Sequence, residues 1–148
     1  MTLDEVKDKF DSLLDRFVKL ESGLEDKLSM ENEQLKVALS SQIPLEYEWY
    51  PILSEARILR TVTKNSMDNI YHSGISEHLN NSYRKRTITE AKELSRSSNE
   101  YMDWSRMNDE MIDLYDDVKS IIEIIQSRRY VLNNITNAFV ASVHNNSI

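Results

Sequence analysis

The chain has 148 residues, with 18 basic and 25 acidic side chains, two glycines, two prolines and no cysteine. This length predicts one domain over residues 1–148, and the scarcity of glycine and proline argues against a turn-rich β-sandwich or barrel. The lack of cysteine excludes a disulfide scaffold and a thiolate metal site. Because no apolar run is long enough to cross a bilayer and the first residues lack a signal-peptide pattern, we expect a soluble protein without membrane contact.

Residues 1–40 predict an acidic, helical N-terminal segment. Apolar residues recur at alternating spacings of three and four, which is the heptad pattern of an amphipathic helix: Leu3, Val6, Phe10, Leu13, Phe17, Leu20 and Leu24. Gly23 disfavours the helix, so we expect it to break or restart between Gly23 and Glu31. The segment Ser40–Pro44 predicts a helix end, because Pro44 biases Ile43 away from the α region.

Residues 45–96 predict two helices on either side of a basic loop. The apolar spacing from Trp49 to Leu59 predicts a helix. The polar segment from Asn65 to Ser82 contains Gly74 and predicts a loop. Thr89 with Glu90 then predicts the start of a short helix that ends near Arg96.

Residues 101–143 predict the longest helix, to which we assign self-association. Its heptad stripe comprises Trp104, Met107, Met111, Leu114, Val118, Ile121 and Ile125, and Leu132, Ile135 and Phe139 continue it. Arg128 interrupts this stripe, and we expect its guanidinium to reach solvent. Stripes this long are commonly buried against other chains, so we expect a homo-oligomer assembled through the residues from Trp104 to Ile125 and Leu132. The overall prediction is an all-α, coiled-coil-like helical bundle.

The charge is unevenly distributed along the chain. Residues 1–56 have a net charge of −7, residues 57–96 have +4 and residues 97–148 have −4. Single-stranded nucleic acid is bound by cations on the phosphates and by aromatic rings under the bases. The candidate DNA-binding residues are Arg57, Arg60, Lys64, Tyr71, His72, Tyr83, Arg84, Lys85, Arg86, Arg128 and Arg129. The alternative is a structural or adaptor protein whose basic segment is simply solvated and binds no nucleic acid.

The sequence contains none of the common catalytic motifs. There is no dinucleotide-binding G-x-G-x-x-G, no phosphate-binding P-loop and no G-x-S-x-G elbow. His72, His78 and His144 do not have metal-ligand spacing. We therefore expect no catalytic residue, no metal, no cofactor and no enzymatic activity.

Two stretches resemble the UvsY-type recombination mediators of tailed phages. They are Tyr71-His72-Ser73-Gly74, which follows a tryptophan-bearing helix, and the run from Glu123 to Ile135. The resemblance covers about residues 30–139. The chain departs from the family pattern at Ser66-Met67-Asp68-Asn69, where family members carry basic residues implicated in DNA contact. This departure shifts the expected contact to Arg84, Lys85 and Arg86.

The resemblance implies a ring-like homo-oligomer that binds single-stranded DNA. It further implies that the protein helps a phage recombinase displace the phage single-stranded-DNA-binding protein and stabilises the presynaptic filament. The implied setting is the cytoplasm of the infected host cell.

Overall fold

The computed structural model describes residues 1–29, 35–81 and 84–146, which form five α-helices and no β-strand. The helices are α1 (Leu3–Ser22), α2 (Leu24–Leu28), α3 (Leu35–Asn80), α4 (Ile88–Arg96) and α5 (Asn99–Asn145). The predicted all-α fold is confirmed. None of these helices, over the described ranges, combines the length and the apolar character that crossing a membrane requires.

Helix α1 begins with a reciprocal cap between Thr2 and Glu5. The Thr2 hydroxyl accepts a hydrogen bond from the Glu5 amide at 3.2 Å, and the Glu5 carboxylate accepts one from the Thr2 amide at 2.7 Å. This bond from the Thr2 amide lowers the pKa of Glu5. Gly23 then separates α1 from α2, as predicted, whereas Glu31 lies outside the described residues.

Helix α3 passes through both prolines, so the predicted helix end at Pro44 is wrong. Each proline leaves the carbonyl four residues earlier without an amide donor, at Ser40 for Pro44 and at Tyr47 for Pro51. All four of these residues are exposed, so water can reach that side of the helix. On the opposite side, burial of the apolar side chains of Leu45, Trp49 and Ile52 stabilises the helix.

The predicted loop from Asn65 is also wrong, because α3 continues to Asn80 (Ser82, its predicted end, lies outside the described residues). Gly74 is needed for a close approach between helices and not for a turn. A Cβ atom there would lie 3.0 Å from the Ser95 Cβ of α4 and would clash with the Ser95 hydroxyl. That hydroxyl is held in place, because it donates a 2.7 Å hydrogen bond to the Tyr71 carbonyl. The glycine therefore lets α4 pack directly against α3.

Helix α4 begins close to its predicted position but has a different cap. Thr87 is the N-cap, and its hydroxyl accepts a 3.2 Å hydrogen bond from the Glu90 amide. The helix ends at Arg96, as predicted. It buries Ala91 and Ser95.

The chain divides into two compact units. The first unit comprises Met1–Leu13 and Glu55–Tyr115, and the second comprises Leu14–Ser54 and Asp116–Ile148. The first core buries Val6, Leu13, Ala56, Leu59, Trp104, Met107, Met111 and Leu114. The second core buries Phe17, Leu45, Trp49, Ile52, Val118, Ile122, Ile125 and Leu132. In the second core, the rings of Phe17 and Trp49 meet edge to face, with their centroids 5.8 Å apart.

Most of the α5 residues that we assigned to self-association are buried within the single chain. They are Trp104, Met107, Met111, Leu114, Val118, Ile125 and Leu132. Ile121 is only half-buried, and Ile122 is buried in its place. A straight α-helix drifts relative to a 3.5-residue repeat, which explains this one-residue shift. While the fold persists, the buried side chains offer no surface to another chain.

The close contact at Gly74 predicts that Gly74→Ala lowers the free energy of unfolding by about 1–3 kcal/mol, as overpacking does. Helix propensity alone predicts the opposite sign, a gain of about 1 kcal/mol. Gly23→Ala is the matched control, because nothing lies within 4 Å of a Cβ there and φ is −103°. Urea unfolding followed by circular dichroism measures both variants. An equal change in the free energy of unfolding for both variants would contradict the packing role of Gly74.

Candidate nucleic-acid interface

All eight basic residues of the segment 57–96 belong to the first unit. On α3, Arg57, Arg60 and Lys64 are spaced three and four residues apart and therefore share one face of the helix. Arg57 and Lys64 are exposed. The Arg60 guanidinium lies over the Tyr115 ring of α5, 4.7 Å from its centroid. Two of these three predicted cations therefore face solvent, and the third is held on an aromatic ring.

Three rings and a guanidinium meet where α3, α4 and the start of α5 come together; we call this group the ring cluster. The Tyr71 ring centroid lies 5.2 Å from that of His72 and 5.9 Å from that of Tyr101. The Arg96 guanidinium lies 5.1 Å from the Tyr71 centroid. The hydrogen bond from Ser95 to the Tyr71 carbonyl places the neighbouring Arg96 here. His72 is exposed, whereas Tyr71 and Tyr101 are half-buried.

The segment before α4 presents a second group of cations. Arg84 and Lys85 are exposed, and Tyr83 lies outside the described residues. The half-buried Arg86 donates a 2.7 Å hydrogen bond to Nδ1 of His78. A guanidinium can only donate, so this nitrogen of His78 must be the acceptor. The contact holds Arg86 against the end of α3.

Carboxylates also lie near these cations. Arg84 and Arg86 line a surface cleft together with Glu90 and Glu93 of α4. Two positive and two negative groups offset one another there, so the cleft attracts phosphate less than its cations alone would. The first unit thus combines exposed cations with a locally balanced cleft.

Arg128 belongs to the second unit and is only 4% exposed, so the predicted extension of its side chain to solvent is wrong. Its guanidinium donates to the Gln42 side-chain oxygen at 2.8 Å and to the Ala38 carbonyl at 3.3 Å. A second nitrogen donates to the Ser41 hydroxyl at 3.1 Å. These acceptors on α3 replace water, which is why a charge is tolerated in the apolar stripe of α5.

Arg129 is also engaged within the second unit. Its guanidinium forms an ion pair with Glu46, and Nε lies 2.7 Å from a Glu46 carboxylate oxygen. This bond to Glu46 raises the pKa of Arg129. Gln42 adds a 3.1 Å hydrogen bond to Glu46. The two arginines predicted as DNA contacts therefore already bind groups of their own chain.

The structure adds Arg96 and Tyr101 to the site, neither of which was among the sequence candidates. Arg96 contributed only to the net charge of its segment, and Tyr101 lies 30 positions after Tyr71 in the chain. No spacing along the sequence signals their contact. It arises because Gly74 and Ser95 bring α3 and α4 together.

Neither the described side chains nor comparisons with known proteins indicate a specific function. Across residues 1–29, 35–81 and 84–146, no three histidine, aspartate or glutamate side chains are grouped so as to hold a metal ion. No protein-family model matches the chain, and comparisons with curated proteins and with solved structures find no match. Any functional proposal therefore rests on the contacts and charges of the chain itself.

The contacts of Arg128 predict that Arg128→Ala destabilises the protein. The substitution leaves the buried Gln42 side-chain oxygen without its charged donor, and we expect a loss of about 2–3 kcal/mol in the free energy of unfolding. The control is Arg106→Ala, at an exposed position of the same helix, which should change the free energy of unfolding by less than about 0.5 kcal/mol. Chemical denaturation measures both. A loss equal to that of the control would contradict the structural role of Arg128.

Proposed function

We propose that this protein is a non-enzymatic, single-stranded-DNA-binding recombination mediator. The main support is the ring cluster, where the Arg96 guanidinium and three aromatic rings meet in the same unit as the other seven basic residues of segment 57–96. Cations that attract phosphates and rings that stack on bases are the two elements of sequence-independent single-strand binding. Both elements are present at the surface of the first unit, through Arg84, Lys85 and His72.

The strength of binding depends on several copies acting together. Base stacking contributes about 1–3 kcal/mol per base, and each neutralised phosphate adds a salt-dependent contribution. A single chain with a net charge of −7 repels DNA at long range. A ring-like homo-oligomer presents several basic surfaces at high effective concentration, which raises affinity without a basic chain.

The mediator role follows from the resemblance to UvsY-type proteins. In this proposal the protein acts in the cytoplasm of a phage-infected cell. It helps the phage recombinase displace the phage single-stranded-DNA-binding protein and stabilises the filament. The acidic segments 1–56 and 97–148, with net charges of −7 and −4, suit contacts with basic surfaces of partner proteins.

The second candidate function is a structural or adaptor protein without nucleic-acid binding. The observation that favours it is the cleft in which Glu90 and Glu93 accompany Arg84 and Arg86. In that case the basic residues serve mainly to balance charge on α4. Titration of a labelled oligonucleotide separates the candidates, because the adaptor gives no binding at any salt concentration.

For the mediator, we expect simultaneous replacement of Arg84, Lys85 and Arg86 by alanine to weaken binding of a poly-dT oligonucleotide at least tenfold at 50 mM salt. The slope of log K against log salt should flatten by about 2, since each lost phosphate contact contributes about 0.7 on a single strand. Fluorescence anisotropy over a range of salt concentrations measures both quantities.

The matched control replaces three exposed lysines of α1 by alanine, namely Lys7, Lys9 and Lys19. This substitution removes the same amount of positive charge. This control variant should keep the wild-type slope of log K against log salt. An equal loss in both variants would mean that only the net charge matters, and unchanged binding of the first variant would exclude residues 84–86 as the contact.

The ring cluster predicts a separate effect on selectivity. We expect His72→Ala to lower affinity for single strands about tenfold and to change affinity for a duplex less than twofold, because paired bases cannot stack on a protein ring. His144→Ala, near the end of α5, is the control. Competition between single-stranded and duplex oligonucleotides measures the ratio. An equal loss for both DNA forms would argue against stacking at His72.

A further inference from the structure

One face of α3 in the second unit is exposed and carries no charged side chain. It runs over about four turns of the helix and comprises Ser40, Ile43, Pro44, Tyr47, Tyr50, Pro51 and Ser54, which we call the α3 outer face. The stretch between Ser40 and Ser54 contains two carboxylates, and both bind cations of their own unit. Glu46 forms an ion pair with Arg129. Glu48 forms one with Lys27 at 2.9 Å.

Large aromatic and apolar side chains project from the α3 outer face. Ile43 is 61% exposed, Tyr47 is 75% exposed and Tyr50 is 38% exposed. The centre of a protein–protein interface differs from the rest of a protein surface in having few charges and many tyrosines. The α3 outer face therefore has the composition of an interaction surface.

The two prolines add backbone acceptors that an ordinary helix does not offer. Pro44 has no amide hydrogen to donate to the Ser40 carbonyl. Pro51 leaves the Tyr47 carbonyl without a donor in the same way. A proline inside a helix is costly, and such departures from local rules are concentrated at functional sites. A partner that covers this face must supply two hydrogen-bond donors, because a buried carbonyl without a donor is a large penalty.

The spacing of the two carbonyls fits a second helix. Ser40 and Tyr47 are seven residues apart, which is about 10.5 Å along α3 at 1.5 Å per residue. Positions i and i+7 of another helix have the same separation and lie on the same side of it. A long side chain at each of these two positions can therefore reach one carbonyl, while the apolar residues between them pack on Ile43 and Tyr50.

The charge of the second unit determines which donors fit best. The unit contains 7 basic and 11 acidic side chains, a net charge of −4. Two of the basic groups are already used, because Arg128 is buried and Arg129 is paired with a carboxylate. The unit therefore attracts cations. A charged donor also forms a stronger hydrogen bond to a carbonyl than a neutral donor does, so arginine and lysine are favoured.

We propose that the α3 outer face docks a cationic amphipathic helix of a partner protein, with arginine or lysine at its positions i and i+7. The two cations donate to the Ser40 and Tyr47 carbonyls, and the apolar side chains between them cover the exposed rings. Recognition of an amphipathic helix through its apolar face is a recurrent mode of binding. The ring cluster belongs to the first unit, so this inference does not depend on DNA binding.

The probe is a fluorescein-labelled peptide of about 20 residues, built from alanine, leucine and glutamine, with two arginines seven positions apart. A control peptide of the same composition has its arginines five positions apart, which places them on different sides of a helix. Fluorescence anisotropy with the full-length chain measures the affinity for both peptides. We expect the first peptide to bind about tenfold more tightly than the control peptide, although their charges are equal.

Two variants test the face itself. The double variant Pro44→Ala, Pro51→Ala returns the missing amide donors to α3. Both carbonyls are then bonded within the helix, so affinity for the first peptide should fall at least tenfold while the helical circular dichroism signal is kept. Tyr47→Ala removes the most exposed ring of the face and should weaken binding about fivefold. Tyr130→Ala is the matched control and should bind like the wild type, because Tyr130 is a 70% exposed tyrosine of the same unit outside this face.

Four results would overturn the inference: a wild type that binds neither peptide, a wild type that binds both equally, a folded proline double variant that binds like the wild type, or equal binding by Tyr47→Ala and Tyr130→Ala. Sedimentation velocity of the same samples tests the other possible occupant. Oligomers that are present in the wild type and lost only in Tyr47→Ala would mean that a second copy occupies the face, which would also overturn the inference.

Discussion

The fold depends on the packing of α3 against α5, which supplies the core of each unit. Apolar burial drives this contact but has no direction, so it does not by itself determine which residues face each other. Buried polar groups supply that selectivity. In the second unit, Gln42 of α3 donates a 2.9 Å hydrogen bond to the Ile125 carbonyl of α5 and accepts one from Arg128. A shift of one helix along the other would take the buried Arg128 guanidinium away from its Gln42 acceptor, which is a large penalty.

The arginines of this chain divide into two roles according to their neighbours. Arg128 and Arg129 lie where α3 offers a glutamine, a carboxylate and a backbone carbonyl, and they stabilise the second unit. Arg84 and Lys85 stay exposed, and Arg96 lies on an aromatic ring. The basic residues 84–86 and 128–129 lie in similar basic-aromatic sequence patterns but therefore have different surroundings. Local charge in the sequence does not distinguish a surface cation from a buried one.

Burial also divides the apolar residues of α5 into two groups. Most of the stripe from Trp104 to Leu132 is buried inside the chain, whereas Ile135 and Phe139, which continue it, are exposed. A sequence pattern reports that a face is apolar but not what covers it.

The sequence by itself determined the helical class, the break at Gly23 and the extent of α4 to within about two residues, because these follow from local periodicity and caps. Only the tertiary structure decided that Pro44 and Gly74 lie inside one long helix. Their local preferences are worth only a few kcal/mol and are outweighed by the packing around Trp49 and Ser95. The contact of Arg96 with Tyr71 and the burial of Arg128 join residues 25 and 90 positions apart, and no spacing along the chain encodes such contacts.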